Sequence, residues 1–488
     1  MEGNQAIGDA PTGDAPTGDA PTRSAPDRTA AIRARLGEVL SELLGASLPG
    51  AVRRLSGGAS RETYLCDCGE CGELILQCEH AGKPTGEPPG QAALLEAAAR
   101  AGVPVARVLA HGADDHILGA AWTLMETLPG SADPKQIVPA PDADSRPELL
   151  DSVAQALAAV HRMPTDTALA PLVEEPLAQL RALHEHLGEP HPVFELAFRT
   201  LGDDWPPARR ALVHGDFRMG NLMVDGERVS GVLDWELTHI GDPAEDLGWL
   251  CVPAWRFARP DLPAAGIGTR EQLLAAYERH AGVAVSIEEL RRWEIFGTLR
   301  WGVICVMQAH THLSGLRSSI EHAVIGRRAC EVEWDLLELL DPGGDAAALL
   351  TAEPDAEPDA APVPLPSLHD RPTAVELLEA ARGALGEQVL PGLEGRPAFE
   401  LRVTLRALGI VRRELEHAER HTELRAQTLA ALGVADEREL AAAIRAGAFA
   451  DRAAELVRAL RRLVRAKLEV ANPGYLQTYA NTSERKGT

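Results

Sequence analysis

The chain has 488 residues, of which 45% are hydrophobic and 25% charged, a balance typical of a globular protein with more than one domain. Its formal net charge is −24 and it contains only four lysines. This excludes a general nucleic-acid-binding protein, because phosphate backbones are recognised through clustered basic side chains. The first residues lack the charged and apolar segments of a signal peptide, and no apolar run is long enough to span a bilayer. We therefore expect a cytoplasmic protein without membrane contact, and we expect its seven cysteines to be reduced.

The chain begins with a segment that cannot form a core. Three copies of GDAPT fill residues 8–22, so we predict a disordered tail over residues 1–28. Apolar residues at helical spacing then predict an amphipathic helix over residues 30–44. Strand-like runs follow over residues 52–78, a helix over 91–101 and a strand over Trp122 to Met125.

Candidate metal ligands surround a turn in these strands. They are Cys66, Cys68, Cys71, Cys78 and His80, around the sequence DCGECGE. A hairpin centred near Gly72 would place Cys66 and Cys78 opposite each other. Zinc and reduced thiols are both open interpretations, since this spacing is not a standard structural zinc pattern.

The most informative stretch runs from Leu212 to Leu250. Two short apolar runs flank the turn DGER and predict an antiparallel hairpin. Asn221 opens its first strand and Asp234 closes its second, while Asp216 lies five residues upstream of Asn221. The three oxygen-bearing side chains are therefore expected to converge. Such oxygens suit Mg²⁺ bridging nucleotide phosphates, and a nearby carboxylate can take the proton of an alcohol during phosphoryl transfer.

This stretch resembles the aminoglycoside phosphotransferase family, kinase-like enzymes whose catalytic loop reads H-G-D-x-x-x-x-N before a strand ending in I/L-D-W/F-E. The resemblance implies that Asp216 is the catalytic base and that Asn221 and Asp234 are magnesium ligands. It also implies that His214 and Gly215 shape the loop, and that Asp242 and Asp246 brace it through hydrogen bonds.

The resemblance further implies ATP as phosphoryl donor. The residues that it assigns to the nucleotide are Gly57, Gly58 and Ser60 in a covering loop, Gln77 on the third strand, and Glu126 and Leu128 in a hinge. Kinases usually pair a basic residue on the third strand with a glutamate on the next helix. Gln77 and Gln91 take those places here, which leaves open weak nucleotide binding, a substitute cation from Arg61 or Lys83, or loss of catalysis.

Helices are predicted after the catalytic stretch, over residues 270–281, 287–312 and 321–340. The side chains best suited to a planar or anionic acceptor are Trp249, Trp255, Arg256, Arg300 and Trp301. Their alternative role is ordinary core packing.

The last third of the chain changes character. Residues 341–370 are rich in Pro, Ala and Asp and predict an extended linker, whereas residues 371–476 predict a separate helical domain before a frayed tail over 477–488. The helical domain resembles an uncharacterised domain associated with phosphotransferases of this group. One of its helix faces carries Arg458, Arg461, Arg462 and Arg465. This face is predicted either to dock on the acidic part of the chain or meet an anionic ligand, or to be solvated.

Together these observations predict an α+β fold with two kinase-like lobes, over residues 29–128 and 129–340, followed by an all-α domain. The predicted function is ATP- and Mg²⁺-dependent phosphoryl transfer to a hydroxyl of a small molecule. The wording GDPAEDLGWL is most similar to the branch associated with acyl-CoA dehydrogenases, which suggests a hydroxyacyl-type acceptor. The alternative is a nucleotide-binding pseudokinase that acts as a scaffold through its helical domain.

Overall fold

The computed structural model describes residues 32–33, 36–37, 50–57, 61–69, 72–79, 90–112, 121–140, 143–202, 205, 209–342 and 371–477. The predicted GDAPT tail, most of the predicted linker and the last eleven residues lie outside these ranges. The chain forms two compact units, one comprising Met1–Thr85 with Val108–Thr127 and the other Gly86–Arg107 with Leu128–Thr488.

The first unit is built on a five-stranded antiparallel sheet. Its strands are β1 (Val52–Gly57), β2 (Arg61–Asp67), β3 (Glu73–Glu79), β4 (Val108–Gly112) and β5 (Trp122–Glu126), in the order β1-β2-β3-β5-β4. Alternate residues of β2 and β3, including Tyr64 and Leu76, are buried on one face. Ile32 and Leu36 of the predicted first helix belong to the same core cluster. The alternating pattern thus fixes which face of the sheet is covered.

The strand register overturns the predicted facing of two cysteines. Residue pairs run from Arg61 with Glu79 to Asp67 with Glu73, so the hairpin is centred near residue 70 rather than at Gly72. Cys66 therefore lies opposite Leu74, and Cys78 lies opposite Glu62.

The described cysteines of this sheet are core residues. Cys66, Cys68 and Cys78 are all buried, and burial raises the pKa of the Cys66 thiol to about 12. Within the described ranges, no group of three or more His, Cys, Asp or Glu side chains could hold a metal ion. Cys71 and His80 lie outside them. The geometry of the described thiols therefore gives the zinc interpretation no support.

The second unit is mainly helical. Before and around the catalytic stretch it contains α1 (Gln91–Arg100), α2 (Pro134–Ile137), α3 (Pro147–His161), α4 (Pro176–Leu187), α5 (Pro192–Leu201), β6 (Ala211–Val213), β7 (Leu222–Asp225), β8 (Arg228–Val232) and β9 (His239–Gly241). After it come α6 (Ala244–Leu250), α7 (Arg270–Ala281), α8 (Ile287–Leu313), α9 (Ile320–Gly326) and α10 (Ala329–Leu340). The last part contains α11 (Ala374–Gly383), α12 (Gly395–Leu432), α13 (Glu437–Ala446) and α14 (Ala453–Ala471). The predicted α+β class with an all-α C-terminal part is confirmed.

Two predicted helix boundaries were wrong. The helix predicted over 321–340 is split into α9 and α10 at Arg327 and Arg328. The apolar spacing from Leu401 to Leu415 also predicts a helix, and the structure makes this segment part of the 38-residue α12. Its polar half continues the helix because side-chain pairs such as Glu423 with Gln427 stabilise successive turns. Such pairs leave no apolar periodicity in the sequence. In the described residues, no helix is both long and apolar enough to cross a membrane.

The helical domain packs directly on α10, which carries acidic side chains although it is almost wholly buried. Three of its carboxylates meet donors from the helical domain at 2.8 Å: Glu331 with Asn472, Glu333 with Lys467, and Asp335 with Tyr475. Burial opposes the ionisation of Glu333, yet the Lys467 ammonium and a hydrogen bond from His191 hold its pKa at about 2. The buried carboxylates of α10 are therefore stabilised by donors from the helical domain, and removing a donor would leave a buried charge without compensation.

The predicted arginine face separates into different environments. Arg461 is 1% exposed and contacts Asp341 at 3.1 Å and the main-chain oxygen of Leu337 at 3.3 Å, so it reaches the kinase-like part. Arg458 and Arg462 are exposed, and Arg465 lies 3.4 Å from Glu469 of its own helix.

We expect Arg461→Glu to lower the free energy of unfolding by about 3 kcal/mol, because it places a carboxylate in a buried site beside Asp341. Arg458→Glu makes the same charge change on an exposed turn of α14 and is expected to change stability by less than about 0.5 kcal/mol. Urea unfolding of both variants measures the difference. Equal stabilities would contradict the docking role of Arg461.

Candidate active site

The catalytic loop lies between two small antiparallel ladders. β6 pairs with β9, and β7 pairs with β8 in the predicted hairpin. Gly215 adopts φ +79°, and a Cβ atom there would lie 2.3 Å from the main-chain oxygen of Leu237. Only glycine fits this close approach, so the backbone geometry requires the glycine of the H-G-D sequence.

The loop is held by a fully buried carboxylate, as predicted for Asp246. Its two oxygens accept hydrogen bonds from the N–H groups of His214 at 2.8 Å and Gly215 at 2.9 Å. His161 at the end of α3 adds a contact at 3.2 Å and is itself 2.7 Å from the Tyr277 hydroxyl. Burial opposes ionisation of Asp246, but the His161 hydrogen bond and the backbone donors hold its pKa below the usual value. The bracing role predicted for Asp246 is confirmed.

Asp242 has a different role from the one predicted. Its carboxylate accepts from the N–H and guanidinium of Arg209 and from the N–H of Ala244. It therefore ties the segment before β6 to the start of α6 rather than contacting the catalytic loop itself. Its effect on the loop can only be indirect.

The Asp216 carboxylate is held by three donors. Its Oδ1 accepts from Arg218 Nε at 2.9 Å and Trp249 Nε1 at 2.8 Å, and its Oδ2 accepts from Asn221 Nδ2 at 2.6 Å. The side chain is 13% exposed. A carboxylate offers about four acceptor sites, so one remains for a further proton donor. This is the geometry that a fixed proton acceptor needs.

The donor set at the hairpin end fits a magnesium ion. Asn221 points its amide nitrogen at the Oδ2 and main-chain oxygen of Asp216, so its amide oxygen is the atom that could hold a metal ion. The main-chain oxygen of Asn221 accepts a hydrogen bond from the N–H group of Leu233. Asp234 is the next residue after Leu233, so the hairpin brings the backbones of Asn221 and Asp234 close together. Asp234 is exposed and adopts a left-handed conformation at φ 60°. A carboxylate and an amide oxygen are the hard ligands that Mg²⁺ prefers.

The residues assigned to the nucleotide lie in both units and stay predictions. Gly57 ends β1 opposite Glu62, and Glu126 ends β5 opposite Leu74. Gln77 is central in β3, with its Nε2 3.4 Å from Thr63 Oγ1. Leu128 lies in the second unit and packs on Gly231, and Gln91 begins α1. Gly58 and Ser60 lie outside the described residues.

Three tryptophans extend from Asp216 as a series of tilted ring contacts that we call the tryptophan ladder: Trp249, Trp255 and Trp301. Trp249 and Trp255 have ring centroids 5.5 Å apart, and Trp255 and Trp301 are 5.1 Å apart. Arginine guanidinium groups lie over the rings, with Arg300 5.0 Å from Trp249 and Arg218 4.6 Å from Trp255. The sequence named these tryptophans as acceptor candidates or core residues; the structure buries Trp249 and Trp255 in one core cluster with Trp301 packed against it, and of the three it is Trp249 that contacts Asp216.

Arg256 is a structural residue instead of a candidate cation for the acceptor. It is buried, and it donates to the main-chain oxygen of Cys251 and to Glu294 at 2.6 Å. Sequence reasoning also missed Arg218 and Arg328. Arg218 could have been found from its position inside the H-G-D-x-x-x-x-N loop, whereas only tertiary packing places Arg328 5.6 Å from Trp301.

The fold and this loop define the class of kinase-like phosphotransferases. Residues 51–283 match the family model described as "Phosphotransferase enzyme family", so the chain carries a domain of that family. Residues 391–475 match a second model, "Domain of unknown function (DUF6285)". Both matches confirm the resemblance inferred from the sequence.

The relatives differ in how much they share. Mouse acyl-CoA dehydrogenase family member 10 is 28% identical over 62% of this chain, but the match spans only 30% of that relative. Viomycin phosphotransferase of Streptomyces vinaceus is 49% identical over 59 residues, 11% of this chain and 21% of that protein. A crystal structure from Ralstonia eutropha, assigned as an aminoglycoside phosphotransferase, superposes with a TM-score of 0.51 at 22% identity, covering 63% of this chain and 97% of that one. That last likeness shows the fold.

Proposed function

We propose that the protein transfers the terminal phosphoryl group of ATP, with Mg²⁺, to a hydroxyl of a small molecule. The observation that carries the proposal is the Asp216 carboxylate, fixed by Arg218, Trp249 and Asn221. The candidate metal ligand Asp234 directly follows Leu233, the backbone partner of Asn221. When bound, Mg²⁺ would neutralise charge on the phosphates, with Asn221 and Asp234 to hold it. The family match supports the reaction class.

The chain's own residues supply orientation and proton transfer. Asp216 accepts the proton of the acceptor's hydroxyl group. At the same time the hydroxyl oxygen bonds to the terminal phosphorus of ATP, and the bond between that phosphorus and the leaving ADP oxygen breaks. Because Oδ1 already accepts two hydrogen bonds, Oδ2 is the oxygen more available for this proton. The Asp246 brace keeps the loop in place, so little reorganisation is needed.

The acceptor belongs to a class with an acyl body, such as a hydroxyacyl compound. Trp249 and Trp255 of the tryptophan ladder are buried, so the groups open to an acceptor are the partly exposed Arg218, Arg300 and Trp301, which suit apolar or planar bodies with anionic groups. Several of the matched relatives are named acyl-CoA dehydrogenase family members, which supports the same class.

The second candidate function is a nucleotide-binding pseudokinase that acts as a scaffold. Gln77 favours it, because β3 contains no lysine to hold the nucleotide phosphates. The buried contacts between α10 and the helical domain show that this domain is an integral part of the second unit.

A transfer assay separates these functions. We expect labelled ATP to yield phosphorylated product with hydroxyacyl acceptors only when Mg²⁺ is present, with kcat/KM at least about tenfold higher than for an aminoglycoside. Asp216→Asn protein, purified identically, is the matched control for contaminating kinases. Binding of ATP without transfer to any member of a broad hydroxyl panel would favour the pseudokinase.

A further inference from the structure

One buried carboxylate connects the helical domain to the surroundings of Asp216. Glu331 of α10 is 3% exposed. Its Oε1 accepts from Asn472 at 2.8 Å and lies 3.5 Å from Arg406, both in the helical domain. Its Oε2 accepts from Arg328 Nε at 2.8 Å. Each oxygen therefore faces a different part of the second unit.

Arg328 continues the contacts toward the catalytic loop. Its guanidinium lies 5.6 Å from the ring of Trp301, which begins the tryptophan ladder at the end remote from Asp216. Trp301 packs on Trp255, and Trp255 packs on Trp249. Trp249 donates to Asp216 Oδ1 at 2.8 Å. Unbroken contacts thus run from the helical domain to the candidate base.

The physical consequence follows from the burial of Glu331. Without Asn472 and Arg406, Oε1 would be a buried charged oxygen with fewer donors, which is unfavourable enough to reorient the carboxylate. A reoriented Glu331 releases Arg328, and Trp301 then loses the cation that packs on its face. Close-packed aromatic rings transmit such displacements instead of absorbing them.

We propose that the helical domain is a positioning element of the active site, with Asn472 and Arg406 fixing the tryptophan ladder through Glu331 and Arg328. The kinetic part of this inference rests on the proposed phosphotransferase function. Asn472, Arg406, Glu331 and Arg328 are positioning residues, since they act on Asp216 only through the ladder. They set the rate with the acceptor and leave nucleotide affinity unchanged.

The test compares two variants that remove contacts from the same helix α10. Asn472→Ala combined with Arg406→Met removes the helical-domain contacts of Glu331. Tyr475→Phe is the matched control, because it removes hydrogen bonds of 2.8 Å to both oxygens of buried Asp335 and leaves the Asn472 and Arg406 contacts of Glu331 in place. Both are made in the full chain, with 5-fluorotryptophan incorporated and the Trp255 and Trp301 resonances assigned by single Trp→Phe substitutions.

We expect the double variant to shift the fluorine resonances of Trp255 and Trp301 and to lower kcat about tenfold, with the KM for ATP unchanged. Tyr475→Phe should leave both resonances and kcat as in the unmodified protein, even if it lowers stability. Arg406→Lys, which keeps the cation, should retain the native resonances. Unmoved ladder resonances in the double variant would overturn the inference. If the unmodified protein transfers no phosphate, the proposed function fails. The fluorine resonances of Trp255 and Trp301 still test whether the helical domain positions the tryptophan ladder.

Discussion

Asp216→Asn is expected to lower the rate of phosphoryl transfer by about a thousandfold while leaving the affinity for nucleotide within about twofold. The substitution removes the proton acceptor, but the main-chain oxygen of residue 216 still accepts from Asn221 Nδ2. Asn221 therefore keeps its amide oxygen directed away from the loop. Initial rates with saturating acceptor and ATP, together with calorimetric titration of nucleotide, measure the two quantities separately.

Two further variants make that result specific. Asp225→Asn removes the same charge at the exposed end of β7 and should leave the transfer rate unchanged. Asp234→Ala removes a candidate ligand of the metal and should weaken nucleotide binding in the presence of Mg²⁺ as well as slow transfer. If Asp216→Asn kept the full turnover on an identified acceptor, Asp216 would not be the base.

Asp246→Asn is expected to lower the free energy of unfolding by about 3 kcal/mol and the transfer rate by about a hundredfold. An amide presents one oxygen where the carboxylate presents two, so only one of the N–H groups of His214 and Gly215 keeps its acceptor. The other faces an amide NH₂ in a fully buried site. Denaturant unfolding and single-turnover kinetics report the two losses.

The pH dependence of the same variant has a definite sign. Because the pKa of Asp246 is below its ordinary value of 3.8, its stabilisation is fully present above pH 4 and is lost as pH falls through the lowered pKa. The stability gap between the native protein and Asp246→Asn should therefore be constant above about pH 4 and shrink in stronger acid.

Asp151→Asn is the matched control on α3, where the native carboxylate is 42% exposed and pairs with Arg279. It should cost less than about 1 kcal/mol. If Asp246→Asn lowered the free energy of unfolding by no more than Asp151→Asn does, the bracing role of Asp246 would be contradicted.

Local sequence was sufficient for the elements whose causes are local. The hairpin of β7 and β8 follows from two apolar runs around a glycine-containing turn, and α7 lies over the predicted residues 270–281 because its apolar period and its Thr269 cap are both short-range signals. The spacing of Asp216, Asn221 and Asp234 around that hairpin is equally local. Their types and order therefore indicated the chemistry of the candidate site before any tertiary contact was known.

Other local patterns were read incorrectly or overlooked. The helices α4 and α5 were not predicted, although each begins with proline and carries apolar residues at helical spacing. The prediction that Cys66 and Cys78 lie opposite each other was wrong because the strand register depends on the position of the turn. Moving the centre of the hairpin from residue 72 to residue 70 changes the partner of every residue in both strands.

Only the tertiary structure decided which distant groups complete the site. Trp249 reaches Asp216 from 33 residues away, and Asp246 reaches the loop N–H groups from more than 30 residues away. The acidic residues of α10 resemble a solvated helix face in sequence, yet Glu331, Glu333 and Asp335 are buried against the helical domain. A buried carboxylate is stable only beside its donors, and those donors come from elements that sequence periodicity cannot place relative to one another.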